Sequence, residues 1–456
     1  MDFSYESPAF DEMLPAASER PQQAVRAHYA AYSAWLKAQN PSDLQAKQQE
    51  AALFFRRAGI TFSVQGGQAS GGEGAALERL IPFDLIPRIV PQAEWQYLER
   101  GLAQRVRALN AFLADVYGAQ EVVRAGLISA QQLAANTQYR PEMRGLLPRA
   151  GIYSHISGID IVRAGQPNGG AAGGSADYFV LEDNLRVPSG VSYMLENRRT
   201  MMRLFPQLFA AQSIAPVEHY PDLLLQTLRS VAPAEVDEPT VALLTPGCHN
   251  AAYFEHAFLA QQMGVELVEG ADLFCQNDFV YMRTTQGRKR VDVIYRRIDD
   301  DFLDPQALRA DSALGCAGLM AAYRKGRVSL CNAPGTGIAD DKSLYPLVPQ
   351  LIEFFLGEKP ILKNVPTWCC AKPQDLQYTL DHLPQLVVKE VHGAGGYGML
   401  VGPAASRAEL AAFRAKLQAQ PAHYIAQPTL ALSTCPTLVE AGIAPRHIDL
   451  RPFVLT

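Results

Sequence analysis

The chain has no apolar run long enough to cross a bilayer, and its first residues (Met1-Asp2-Phe3-Ser4-Tyr5-Glu6) lack the basic and apolar regions of a signal peptide. These absences predict a cytoplasmic protein that does not engage a membrane. It also has no Lys/Arg-rich block interleaved with aromatics. With a net charge of −5 and a pI near 6.0, general nucleic-acid binding is excluded as an expectation. Cysteine is sparse and unpatterned: seven residues, no C-x-x-C, and the adjacent Cys369 and Cys370, which suit a structural staple poorly. Reduced thiols are expected. No Ser-His-Asp or Cys-His signature is visible, which counts only against chemistry that needs a covalent protein intermediate.

What is present is ordinary for a folded chain of two or three domains: 456 residues, 48% apolar and 19% charged. One stretch organises the rest. Tyr178 to Leu181 is an aromatic and aliphatic strand candidate running into Glu182-Asp183-Asn184 and then a Pro188-Ser189-Gly190 turn. Side chains alternate along a strand, so Glu182 and Asn184 share a face and Asp183 takes the other. A carboxylate and an amide oxygen two residues apart suit a hard cation such as Mg²⁺. A second strand candidate, Ile159 to Arg163, precedes a glycine-rich tip (Gly169, Gly170, Gly173, Gly174). Antiparallel pairing about that tip sets Asp160 opposite Glu182 and completes an Asp, Glu, Asn cluster. The alternative is that these groups only solvate a strand end.

Ahead of this stretch the pattern is helical from Arg26 to Gln39 and from Ser42 to Ala58, with Ser42 as the N-cap. A strand over Ile60 to Val64 and a loop from Gly66 to Gly74 follow. A long helix from Pro91 to Tyr117 places Leu102, Val106, Leu109 and Leu113 on one face. Beyond it, Thr240 to Thr245, a helix through Tyr253 to Ala260 and Val265 to Val268 alternate as in a partly parallel α/β unit. A hairpin over Phe279 to Met282 and Lys289 to Ile294, then a helical stretch around Ala307 to Lys325, close it. Asn250, Tyr253, Glu255 and His256 open a helix at a strand's end and are substrate-site candidates; capping and packing explain them equally.

In the last third, helical spacing runs through Leu344, Leu347, Leu351, Ile352 and Phe355 to Gly357. Leu386 to Val391 then leads into His392-Gly393-Ala394-Gly395-Gly396-Tyr397-Gly398 and Met399-Leu400-Val401. Gly393 to Gly398 satisfies G-x-G-x-x-G, the basis of a dinucleotide-dependent oxidoreductase reading, which requires a helix after Gly398. The flanks are strand-like instead. Two strands about a glycine tip make a flap whose backbone N–H groups can cover phosphates, with Lys389 on the incoming strand as a point charge. Tyr424 to Pro428 is a strand whose Gln427 suits the edge of an adenine. His447, Asp449 and Arg451 alternate on one strand face, forming either a site wall or a wetted edge.

Taken in order, these motifs resemble the circularly permuted ATP-grasp proteins of type 2. The likeness is carried by Glu182 to Gly190, Tyr253 to Ala260, Tyr295 to Asp301, Ala339-Asp340-Asp341-Lys342, Val388-Lys389 with Gly395 to Gly398, Tyr424 to Thr429 and His447 to Phe453. The permutation shows in the order, because the metal cluster precedes the lysines and the flap. Glutathionylspermidine synthetase has the same permuted arrangement. The resemblance implies a mixed α/β fold: an N-terminal helical region (1–75), a metal-binding half (76–219), an inserted Rossmann-like α/β unit on the substrate side (220–335) and a nucleotide-binding half (336–456).

It further implies Asp160, Glu182 and Asn184 as Mg²⁺ ligands, and Lys342, Lys389, Gly395, Gly396, Tyr397 and Gly398 around the ATP phosphates. Gln427 would face the adenine, and Arg186 and Arg451 would stabilise the transferring phosphoryl group or a substrate carboxylate. The expected activity is ATP-dependent C–N ligation through an acyl phosphate, on small-molecule or peptide carboxylates and amines. The alternative is an ATP-binding or partner-binding scaffold without ligase chemistry. It is motivated by the stop at Thr456, where family members usually continue into a glycine- and serine-rich segment.

Overall fold

The computed structural model describes residues 10–15, 25–64, 77–165, 176–248, 250–391, 398–439 and 442–456, with only the backbone at 61–64 and 77–79. Three four-stranded sheets position the site. The first, here the carboxylate sheet, runs in the order Lys363–Asn364, Asp177–Asn184, Ile156–Ala164, Phe453–Leu455. Its two inner strands are antiparallel, and Asp160 stands opposite Glu182 as the glycine-tip argument requires, with an irregularity just after Asp160. The edge strands arrive from far along the chain, so distant segments meet in one sheet.

The second, the lysine sheet, is antiparallel throughout: Trp368–Cys369, Tyr424–Pro428, Leu386–Glu390, Leu400–Val401. Val387 and Val388 pair with Val401 and Leu400. The segment after Gly398 is therefore a strand, and the oxidoreductase reading falls. The third sheet is wholly parallel: Ser329–Cys331, Val293–Arg296, Val241–Leu244, Glu266–Val268. Every residue of Val241–Leu244 is buried, as a continuous apolar run covered on both faces demands. This is the Rossmann-like unit.

The helix Gln92–Tyr117 is the spine of the main core. Leu102, Val106, Leu109 and Leu113 are all buried as their spacing predicts. It packs against Val348–Leu356, and Gly101 leaves room for Leu362 beyond that helix: a Cβ there would fall 2.4 Å from Leu362 Cγ.

Several local expectations need correction. The N-cap of the helix Pro41–Ala58 is Asn40, whose side chain accepts from the Ser42 N–H; Ser42 is already inside. The expected helix over Ala307 to Lys325 shrinks to Leu319–Arg324. Upstream, the Asp304 carboxylate ties down the N–H groups of Gln306, Gly318 and Met320, and Gly315 is pressed against the carbonyls of Phe302 and Leu303. The apolar period from Leu344 starts its α-helix only at Val348. The run Lys289 to Ile294 divides at Asp292, which is bound to Thr240: Gly287–Val291 closes an antiparallel meander, while Val293–Arg296 enters the parallel sheet. His447 to Phe453 is not one strand. The strand Gly442–His447, paired with Thr434–Val439, ends at His447; Leu450 bridges Ile161 and a new strand begins at Phe453.

Candidate functional site

Glu182 and Lys389 face one cavity between the carboxylate and lysine sheets, with Asp340, Lys342 and Gln427 completing its polar wall. Lys342 Nζ lies 2.6 Å from Glu182 Oε1. Lys389, opposite Ile425 in its sheet, has its amine pulled below the ordinary lysine range by burial. Glu182 and Asp160 oppose that shift and Lys342 adds to it, so these four side chains share one electrostatic site. Strands hold three of the four, and a tight turn ending at Asp341 delivers Lys342.

Burial raises the Asp160 carboxyl to about 6; the nearby Arg451 draws it down and the like charge of Glu182 pushes it up. Asn184, at the strand's end, stands opposite Gly158. Among the described residues no group of three or more His, Cys, Asp or Glu is placed to hold a metal ion. A cation here would therefore take oxygen from two carboxylates, the Asn184 amide and a ligand such as phosphate. That donor set is hard and oxygen-only, and it fits Mg²⁺ rather than a soft metal. The short Lys342–Glu182 contact shows that the site already accommodates positive charge.

Two expected arginines behave differently. Arg451 Nε is 3.9 Å from Asp160 Oδ2, and the side chain is tied to Asp449 at 3.0 Å, so it borders the carboxylates. Arg186 reaches instead toward the parallel sheet and pairs with Asp299 at 3.3 Å. His447 is directed elsewhere, to the Leu432 carbonyl. Gln427 is buried and donates to Thr367 Oγ1 at 3.0 Å. Gly398 adopts a left-handed φ of 69°; Gly395, Gly396 and Tyr397 lie outside the described residues.

Three of the four helix-opening candidates, Glu255, His256 and Asn250, are engaged in capping and packing contacts. Glu255 is buried and accepts from the N–H groups of Gly190 and Ser192, capping the helix Val191–Leu204, while Arg297 lies 3.2 Å away. His256 is buried against Thr245 Oγ1 at 2.9 Å, and its pKa is drawn far down by burial and then by Arg297. Asn250 binds the Ala252 N–H within its turn.

Other contributors carried no chemical signal of their own in the sequence. Asp340 accepts from the N–H groups of Leu185 at 2.5 Å and Arg186 at 3.3 Å, and desolvation raises its carboxyl to about 7. It thereby fastens the loop leaving Asn184 to the turn carrying Lys342. Asn332, at the carboxyl end of the parallel sheet, accepts from the N–H groups of His155 and Ile156 and donates to the carbonyls of Ile156 and Leu185. Asp340 stands in the Ala339-Asp340-Asp341-Lys342 motif, where the resemblance gives a role to Lys342 alone; nothing in the sequence marks Asn332.

The model for the family described as circularly permuted ATP-grasp type 2 matches residues 87–456. A Synechocystis protein of uncharacterized function is 48% identical over 447 residues, covering 98% of this chain and 89% of its own. A Frankia alni protein named "Putative glutamate--cysteine ligase 2-3" is 41% identical over 454 residues, covering 99% of this chain but 50% of the longer relative. Among solved structures, a glutathione synthetase-like effector from Globodera pallida in apo form superposes with a TM-score of 0.57, at 13% identity. The match covers 91% of this chain and 88% of that one, a likeness of fold.

Proposed function

Since the chain belongs to the circularly permuted ATP-grasp type 2 family, we propose that it is an ATP-dependent carboxylate–amine ligase. The carrying observation is the meeting of Glu182 with Lys342 and Lys389 in one cavity between two sheets, with Asp160 near enough to act on the charge of Lys389. Opposite charges from separate parts of the chain come together there, as the clamping of a triphosphate and its metal would require. The Frankia relative's name denotes an enzyme that joins a carboxylate to an amine, which supports the same reaction class. A glutathionylspermidine synthetase-like reaction belongs to that class too.

In this reading Asp160, Glu182 and Asn184 hold Mg²⁺, which when bound would neutralise phosphate charge during γ-phosphoryl transfer. Lys342 leaves Glu182 and takes phosphate oxygens; Lys389 approaches from the opposite sheet. Gln427, which lines the cavity, would face the adenine. Arg451, beside Asp160, stabilises charge on the phosphoryl group as a substrate carboxylate is activated to an acyl phosphate. An amine then displaces phosphate to give the amide, ADP and phosphate. Arg186, turned toward Asp299, faces the side on which the parallel sheet ends, where an acceptor would enter.

The test is ADP release by the purified chain with ATP, Mg²⁺ and mixtures of carboxylates and amines. Substrate-stimulated ADP that disappears in Glu182→Gln supports the ligase. ATP binding without stimulated ADP release would instead favour a scaffold, and no ATP binding would refute the ligase.

A further inference from the structure

Between Glu182 and Asn184 sits Asp183, directed into the core. Its carboxylate receives two hydrogen bonds of 2.6 Å from Nε and Nη2 of Arg105, and both side chains are almost wholly buried. Arg105 belongs to the helix Gln92–Tyr117, where Leu102, Val106 and Leu109 make the surroundings apolar. Its remaining Nη1 donates to Asn364 Oδ1 at 2.7 Å. The Asn364 amide donates to the Tyr345 carbonyl at 2.7 Å. The Tyr345 hydroxyl donates to the Val180 carbonyl and accepts from the Val365 N–H, and the guanidinium lies 5.6 Å from the Tyr345 ring centre. The network therefore closes on itself, joining the strand that bears Glu182 to the turn just after Lys342.

A buried ion pair of this kind gives little net stability over apolar side chains of equal volume, because desolvation offsets attraction. What it does impose is geometry. The planar fork of Arg105 fixes the rotation of Asp183, and a strand residue fixed on one face fixes its neighbours on the other. We propose that Arg105 and Asp183 are positioning residues that set Glu182 and Asn184 at a defined height against Lys342. The claim rests on reading the cavity as the Mg·ATP site.

Two variants test it: Arg105→Lys, which keeps the charge and loses the fork, and the double apolar variant Arg105→Met with Asp183→Leu. Mn²⁺ binding followed by electron paramagnetic resonance, with and without a non-hydrolysable ATP analogue, reports on the site without turnover. Denaturant midpoints report on the fold. Both variants are expected to fold with near-parental midpoints while Mn²⁺ affinity in the presence of the analogue falls about tenfold or more, as for residues that orient metal ligands indirectly. Folded variants that bind Mn²⁺ within about twofold of the parent would overturn the proposal. If the double variant fails to fold, Arg105→Lys decides alone. If the unaltered chain binds neither the analogue nor Mn²⁺, the nucleotide reading fails, and the proposal with it. That result is distinct from a variant-specific loss.

Discussion

Replacing Lys342 by methionine should move metal and nucleotide affinity in opposite directions. In the structure its ammonium lies 2.6 Å from Glu182, the position from which, on the proposed reading, a divalent cation would displace it. Two unit charges about 4 Å apart interact by about 4 kcal/mol at an effective dielectric near 20 and about 1 kcal/mol in water. With side-chain exposures of 13% for Lys342 and 28% for Glu182, this pair lies between those limits, and screening discounts it further. We take about 1–2 kcal/mol as the competition that Lys342→Met removes, a five- to thirtyfold gain in affinity for Mn²⁺ alone. Nucleotide binding should weaken because a charge-assisted contact to phosphate is lost, at about 1.5–3 kcal/mol, or roughly ten- to a hundredfold. Titrating Mn²⁺ without nucleotide, and then an ATP analogue at saturating metal, measures the two separately. Parallel losses in both, or no change in metal affinity, would show that Lys342 does not alternate between carboxylate and phosphate, and the argument would fail.

Asn332→Ala orphans the buried N–H groups of His155 and Ile156, and should destabilise the fold by about 3–5 kcal/mol in urea; a loss under about 1 kcal/mol would contradict it. His155, buried without a charged partner, has its pKa drawn down to about 4 by burial alone. A depressed histidine contributes stability that is present above its unfolded value and lost as pH falls from about 6.5 to about 4, at about 3 kcal/mol. His155→Leu should flatten that part of the acid limb, and an unchanged limb would refute the assignment. Gly398→Ala places a Cβ 2.4 Å from the Glu390 carboxyl carbon at a φ of 69°. It should cost about 1 kcal/mol or more of stability and weaken ATP-analogue binding several-fold; parental binding would remove Gly398 from the nucleotide site.

The parts of this molecule legible in the sequence are those governed by short-range rules. Strand periodicity and the glycine tip sufficed to pair Asp160 with Glu182, and strand-like flanks around Gly398 sufficed to reject a helix there. What was not legible depends on partners distant in sequence. Glu255 opens a helix as a substrate ligand would, yet its carboxylate is consumed by Gly190 and Ser192, more than sixty residues earlier. Arg186 lies within the metal motif but turns to Asp299. Arg105 sits on an amphipathic helix beside Arg107, and composition cannot say which of the two is buried against Asp183 and which is exposed beside Glu358. His447 and Arg451 alternate perfectly on paper, but the strand is interrupted between them to follow Ile161.

On the proposed reading, the same charge arrangement should make nucleotide and metal binding interdependent. Asp160, Glu182 and Asp449 stand against Lys342, Lys389 and Arg451, three carboxylates facing three cations. A triphosphate that draws the two lysines away would leave Asp160 and Glu182 facing each other with less compensating charge, Arg451 remaining 3.9 Å from Asp160, in a partly desolvated cleft where Asp160 already resists ionisation. A divalent cation restores the balance and bridges carboxylate to phosphate. Each ligand must then favour the other by the same factor, since the coupling free energy is shared. ATP-analogue affinity measured with and without Mn²⁺, and Mn²⁺ affinity measured with and without the analogue, should yield equal ratios well above one in the parent. Replacing Glu182 by glutamine removes the charge that calls for the cation, so the ratio should fall toward one even where binding of the nucleotide itself persists. A ratio unchanged in Glu182→Gln would place the metal elsewhere in the cleft.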